Sequence, residues 1–424
     1  MSRLTAALSI VIALASLLGL AYAGISTRDF SLHLDRELHP LSCSFIPGGG
    51  EPEAMGDAVE GCKAALFSEY SSFWRADVWG GVPVSTFALG LYAFTLGLAV
   101  WSVLTRRASE AVVGLFFALS GTIAAVASGI YARIALGELD VVCKTCAGMY
   151  AASALLFLAG VGVYFSGRAD RRRSDHDRED PHSQGSSVAA PMSAWMLAIV
   201  LLAELGAASL VPPLVYATSV PDYRPWVTGC GSLADRTDPK GVLLSFPASQ
   251  ATPAQGLHDI LLVVDPLCPA CREFHRLVEK IPEIAARPKR VLLMPLDPEC
   301  NWTVAEALHP GACMVSRAML CAKDRAPALL DAVYAEQETL LALGKSGKTA
   351  EIRARLLGFL PDLGPCLDAP ETGILLNEAL QVAVRNTLPI TTPQLYVDGR
   401  RLCQADTDLG LEFALGALLG GSSP

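Results

Sequence analysis

Five apolar runs fill the first half of the chain, each about 20 residues long and so able to cross a bilayer as a helix. They extend roughly from Leu4 to Gly24, Val82 to Leu104, Ala111 to Ala132, Cys143 to Gly167 and Met192 to Ala217. After about Pro221 the pattern changes to short apolar runs of strand length set between amphipathic stretches. His258 to Val264 reads as a strand, followed by Asp265-Pro266-Leu267 and a helix from Pro269 to about Ile284. A second strand is expected at Arg290 to Met294, then a mostly helical Ala- and Leu-rich region from Thr303 to Gln381. Strands at Gln394 to Val397 and Arg400 to Gln404 flank an Asp398-Gly399 turn, and a helix from about Asp406 to Leu418 closes the chain. The fold class expected is a membrane α-helical bundle, a four-helix core plus a fifth linking transmembrane helix, followed by a soluble α/β domain with a helical insertion.

Composition supports that division. Of 424 residues 52% are hydrophobic and only 18% charged, and the mean hydropathy of +0.39 is too high for an ordinary soluble protein. The net charge of -9 argues against a nucleic-acid partner, which needs a concentrated basic surface; the only basic cluster is Arg171 to Arg173. Arg3 before an apolar run ending in Ala21-Tyr22-Ala23 also suits a signal peptide. The run outlasts the usual h-region of about 7 to 15 residues, so a retained helix is expected.

Charge asymmetry sets the orientation. Arg3, Arg106-Arg107 and the Arg168 to Arg173 cluster mark the cytoplasmic side, which puts Ile25 to Gly81, the Gly137 to Asp140 turn and the soluble domain outside. The resulting domains are 1–167 for the four-helix core, 168–191 for a cytoplasmic linker, 192–217 for the linking helix and 218–424 for the outward domain. The polar stretch from Gly167 to Ser187 has no apolar period and reads as a disordered linker. Small residues at Gly114, Ala118, Gly121, Ala125 and Gly129 signal close helix packing. Glu204 sits mid-span, where tilt near Pro212-Pro213 would let water reach it. His33 and His39 match no metal-ligand spacing and read as part of a solvated loop; no metal site is expected.

Twelve cysteines fit an oxidising compartment better than a cytosol. Cys268-Pro269-Ala270-Cys271 falls where a strand turns into a helix. The first cysteine there meets unpaired amides and the helix dipole, which favour thiolate, and the second lies one turn on and can close a disulfide. A zinc half-site would need a second ligand pair, which the following sequence lacks. In this the C-terminal region resembles the thioredoxin superfamily, in particular members with an inserted helical subdomain; the resemblance implies a cis-proline loop facing the pair, matched by Thr392-Pro393.

Cys143-Lys144-Thr145-Cys146 is a second pair, at the outward end of a membrane helix, and the preceding outward loop holds Cys43 and Cys62. An inert or palmitoylated pair is the bland alternative, but four cysteines gathered at one membrane face exceed what an anchor needs. Together with Ser68-Glu69-Tyr70, Gly81-Val82-Pro83 and Gly90-Leu91-Tyr92, this constellation resembles the vitamin K epoxide reductase family in its bacterial form fused to a thioredoxin-like domain. The interval from Cys43 to Cys62 is longer than the family's and holds Gly48-Gly49-Gly50, a flexible tether.

The resemblance implies a thiol oxidase of the bacterial inner membrane that forms disulfides in unfolded exported proteins on the periplasmic side. Electrons would pass from Cys268 and Cys271 to Cys43 and Cys62, then to Cys143 and Cys146, and finally to a quinone, ubiquinone or menaquinone. Ser85 and Tyr92, on the second span near its outward end, are the candidate quinone-pocket residues; ordinary helix packing is the competing role for both. Two other functions compete: a reductase running electrons outward to an isomerase, for which no cytoplasmic cysteine exists, and a membrane-anchored binding or chaperone module. Cys230, Cys300, Cys313, Cys321, Cys366 and Cys403 read as structural; six cysteines allow 15 pairings, of which Cys300 with Cys313, closing a short loop, is favoured.

Overall fold

The computed structural model describes residues 2–34, 65–108, 110–139, 141, 143–178, 194–249, 258–406 and 409–420. The chain divides into two compact units, Met1–Asp222 and Tyr223–Pro424.

In the first unit, five helices among the described residues are long and apolar enough to cross a membrane: α1 (Arg3–Leu34), α2 (Val84–Leu104), α3 (Ala111–Gly137), α4 (Lys144–Arg178) and α5 (Ala194–Ser219). Their apolar residues run around the whole circumference, as expected where lipid rather than water covers the outer face. α1 packs on α2 and α4, α3 on α4, and α5 on α2. A buried bond of 2.8 Å between the Ser16 and Thr95 hydroxyls pins α1 to α2. The small-residue stripe of α3 is used only along part of its length. A Cβ at Gly121 would lie 2.7 Å from the Phe157 Cα, and one at Gly114 3.0 Å from the Tyr164 Cα, whereas Gly129 has open space. α3 and α4 therefore touch backbone to backbone around Gly114 and Gly121, and Gly129 takes no part in that contact.

Two expectations need correction here. α1 continues ten residues beyond Gly24, so His33 lies in a helix and stacks on Phe67 with ring centroids 3.8 Å apart, not in a solvated loop; His39 falls outside the described residues. α4 continues to Arg178, well into the stretch read as a disordered linker. Arginine is a good helix former that can extend an existing helix, and Asp170 anchors the extension by accepting the Ser2 amide at 2.7 Å. The fifth span continues as one helix through Pro212 and Pro213, and Glu204 is exposed on it.

Before α2, β1 (Ser72–Phe73) pairs antiparallel with β2 (Val82–Pro83). The second unit carries a five-stranded sheet of order β3-β5-β4-β6-β7, made of β3 (Leu244–Phe246), β4 (Ile260–Val264), β5 (Lys289–Leu293), β6 (Gln394–Val397) and β7 (Arg400–Arg401). Only β4 and β5 are parallel. β4 is buried on both faces, so its pattern is a continuous apolar run, not an alternation. Ile260, Leu262 and Val264 face the larger core, which includes Phe274 and Val278 of α6 (Pro269–Lys280). Leu261 and Val263 face the other side with Ala379, Leu380 and Ala383. Between β5 and β6 lie α7 (Ala312–Ala322), α8 (Ala326–Ala335), α9 (Gln337–Lys345), α10 (Thr349–Phe359) and α11 (Pro370–Arg385); α12 (Leu411–Gly420) follows the sheet. β3 escaped the sequence reading because three residues carry almost no periodic signal. Disulfides join Cys230 to Cys403, Cys300 to Cys313 and Cys321 to Cys366, and the favoured Cys300–Cys313 closure is among them.

Candidate functional site: two cysteine pairs

Cys143 immediately precedes α4 and Cys146 lies in its first turn, and the two form a disulfide with Cα atoms 5.2 Å apart. Both sulfurs sit at a helix start, where free amides stabilise a developing thiolate; the Cys146 amide lies 3.2 Å from the Cys143 Sγ. Cys146 also lines a cavity of about 370 Å³ among the membrane helices. Its walls are largely apolar, with the hydroxyl-bearing side chains of Ser85, Tyr92, Ser128, Tyr131, Tyr150 and Ser153 spaced around them. An apolar cleft with a few convergent polar groups suits a small amphipathic ring.

Ser85 and Tyr92 thus line the same cavity as Cys146, though their hydroxyls are engaged within the protein. Ser85 shares a 2.7 Å bond with Thr27. Tyr92 bonds Ser153 at 2.7 Å and the Met149 carbonyl at 3.3 Å. Tyr131 and Tyr150 escaped the sequence reading. For Tyr150 a signal was there: it lies four residues after Cys146, one turn along the same face. Cys43 and Cys62 lie outside the described residues.

In the second unit, Cys268 is the N-cap of α6 and Pro269 its first residue, a position where the missing N–H costs nothing. Both Cys268 and Cys271 are thiols and buried. The Cys271 thiol, hydrogen-bonded to Cys268, is the main influence bringing the Cys268 pKa down to about 6; burial opposes it, and Thr392, the Cys271 amide and His309 add to it. Cys271 moves the other way, because burial disfavours its thiolate and the neighbouring Cys268 charge repels it. The pair is therefore asymmetric: one attacking or leaving sulfur that ionises readily, one held as thiol. The Thr392–Pro393 peptide is cis, and the Thr392 carbonyl lies 3.7 Å from the Cys268 Sγ.

Three further side chains gather at the turn that carries this pair, Asp265 from just before it and His309 and Gln337 from distant sequence. Asp265, fully buried at the end of β4, accepts the amides of Leu267 and Leu296 at 2.8 Å each and bonds His309 Nδ1 at 2.7 Å. Gln337, at the start of α9, donates to the carbonyls of Pro266 and Cys268. No local pattern announces His309 or Gln337, since each lies about 40 residues or more from the pair it serves. Asp265 was visible in the Asp265-Pro266-Leu267 turn but read only as a strand end.

Fold and site together define a multi-pass membrane protein with a disulfide beside an intramembrane cavity and an α/β unit bearing a second, ionisable dithiol. Residues 10–161 match the model of the Vitamin K epoxide reductase family. Proteins of that family are quinone-reducing thiol oxidoreductases. No curated protein and no solved structure matches the chain.

Proposed function

We propose that the protein is a quinone-dependent thiol oxidase that forms disulfide bonds in exported proteins, with its second unit acting as a thioredoxin-like donor domain. The observation that carries this reading is Cys146, half of a membrane disulfide, on the wall of an apolar cavity of about 370 Å³ with hydroxyls suited to a quinone ring. A thiolate of an unfolded substrate attacks Cys268 of the oxidised Cys268–Cys271 pair, and Cys271 leaves. A second substrate thiolate attacks the mixed disulfide, forming the substrate disulfide and releasing Cys268. Two electrons then pass by the same exchange through Cys43 and Cys62 to Cys143 and Cys146. Cys146, on the cavity wall, delivers them with two protons to the quinone.

The basic clusters at Arg106-Arg107 and Arg168 to Arg173 support a cytoplasmic side there and a bacterial inner-membrane location with the α/β unit in the periplasm. The test is to mix the purified full-length protein with a reduced unfolded protein and quinone. Quinol should appear in proportion to substrate thiols lost, one per disulfide. Thiol loss without quinol, or quinol formation indifferent to the substrate, would overturn the proposal.

A further inference from the structure

We infer that His309, tied through Asp265 to the turn that carries Cys268, is a cation that tunes the redox poise of Cys268, supplied by the helical insertion instead of the dipeptide between the cysteines. The inference rests on the dithiol reading above. Within the Cys-Pro-Ala-Cys segment neither intervening residue carries charge. His309 lies 44 positions from Asp265 in the chain, yet its Nδ1 meets the Asp265 carboxylate at 2.7 Å, and the Asp265 carbonyl accepts the Cys268 amide at 3.1 Å. With Nδ1 bound there, a second ring nitrogen remains to carry the proton that makes the ring a cation.

The loop holding His309 is built to stay in place. The Leu296 carbonyl accepts the amides of both Leu308 and His309. The buried Asp297 accepts the Gly311 amide at 2.8 Å, and Gly311, at φ +92°, makes the left-handed turn into α7. The Cys300–Cys313 disulfide closes the same loop. Leu296 itself is tied to Asp265 through its amide, so one carboxylate anchors the loop and orients the imidazole. Only 15% of the His309 side chain is exposed, and none of Asp265, so solvent screens their interaction little.

The charged groups acting on His309 are Asp265 from the end of β4, Cys268 from the start of α6 and Lys345 from the end of α9. Burial and Lys345 disfavour the imidazolium, but the Asp265 bond and charge with the Cys268 charge outweigh them, and the His309 pKa lies above its ordinary value. The influence is mutual, since His309 favours the Cys268 thiolate. In the exchange with substrate, the bond broken in the second step is the one between the substrate sulfur and Cys268. Its electron pair stays on Cys268, and a better stabilised thiolate leaves faster and makes the pair more oxidising.

Linkage makes the inference testable without any substitution. In the full-length protein, deuterium exchange at the imidazole C2 of His309, read peptide by peptide, should give a higher midpoint when the Cys268–Cys271 pair is reduced than when it is oxidised. Equal midpoints would overturn the inference. In parallel, the pH dependence of Cys268 alkylation is compared in wild type, His309→Gln and His309→Lys. Gln should raise the Cys268 midpoint and make the pair less oxidising by less than about tenfold, or under about 30 mV, while Lys should keep it low. No shift with Gln, or the same shift with Gln and Lys, would mean that the charge has no such role. These readouts involve no quinone. Failed quinone reduction with the coupling intact would count against the oxidase reading alone, and lost coupling with quinone reduction intact against His309 alone.

Discussion

The hydroxyls of Tyr92 and Ser153 meet at 2.7 Å across 61 positions of sequence and tie α2 to α4 beside the cavity that Cys146 lines. Ser128 of α3 donates to the same Ser153 oxygen at 2.8 Å, so three helices converge on one polar point in an otherwise apolar bundle. Because the Tyr92 hydroxyl is engaged there, Tyr92→Phe should act mainly on stability. The expected loss is about 1 kcal/mol, the usual net worth of one such bond, seen as a lower unfolding temperature in detergent with little change in KM for quinone. A raised KM at unchanged stability would show instead that the hydroxyl meets the ligand.

Ala88 lines the cavity from α2 and is half-buried. Replacing it by Phe should occupy space the proposed quinone ring needs. Quinone reduction driven by a small dithiol should fall several-fold, while reduction of the Cys143–Cys146 disulfide by the same dithiol, followed by alkylation and mass spectrometry, should continue. Parallel loss of both would mean that the substitution disturbed the helices and not the cavity.

The Cys321–Cys366 bridge spans 45 positions and ties α7 to the turn before α11. By the chain-entropy relation such a closure contributes about 4 kcal/mol, against about 3 for the shorter Cys300–Cys313 loop. Replacing both Cys321 and Cys366 by Ala should therefore lower denaturant resistance of the second unit more than Cys300→Ala with Cys313→Ala. The measure is tryptophan fluorescence in urea, and the reverse order would contradict the entropic account.

Asp398, at the hairpin turn between β6 and β7, bonds His258 Nδ1 at 2.6 Å and accepts the Asp259 amide at 3.0 Å. Burial raises its pKa, but these two bonds and the His258 and Arg236 charges outweigh it, and the carboxyl ionises below its ordinary range. A depressed folded pKa gives stability that is complete above about pH 4 and lost as pH falls through the lower folded value. Asp398→Asn should accordingly lower stability at neutral pH and flatten its decline on the acid side. An acid limb as steep as that of wild type would show that other carboxylates carry it.

How much of this was legible beforehand follows from the range of the interactions involved. The five spans were readable because lipid imposes one rule on every residue along a helix, so a local average suffices. Cys143, Cys146, Cys268 and Cys271 were readable because a thiol pair one helical turn apart is a local geometry. β4 announced itself through five consecutive buried apolar residues. The Arg-rich continuation of α4 was not readable, since polarity alone does not separate a solvated coil from a helix held by its neighbour, here Ser2 on Asp170. His309 could not be found from the sequence either. Its significance arises from Asp265, Leu296 and the Cys300–Cys313 closure meeting in space, and the free energy of such a contact depends on distance through the fold and not on separation along the chain. The sequence by itself determined the membrane bundle, the α/β unit and the two cysteine pairs. Only the tertiary structure decided that Cys146 borders a cavity, that the Tyr92 hydroxyl is turned to Ser153, and that a buried carboxylate ties an imidazole to the turn that carries Cys268, because each of these depends on side chains from separate elements packing into one low-dielectric place.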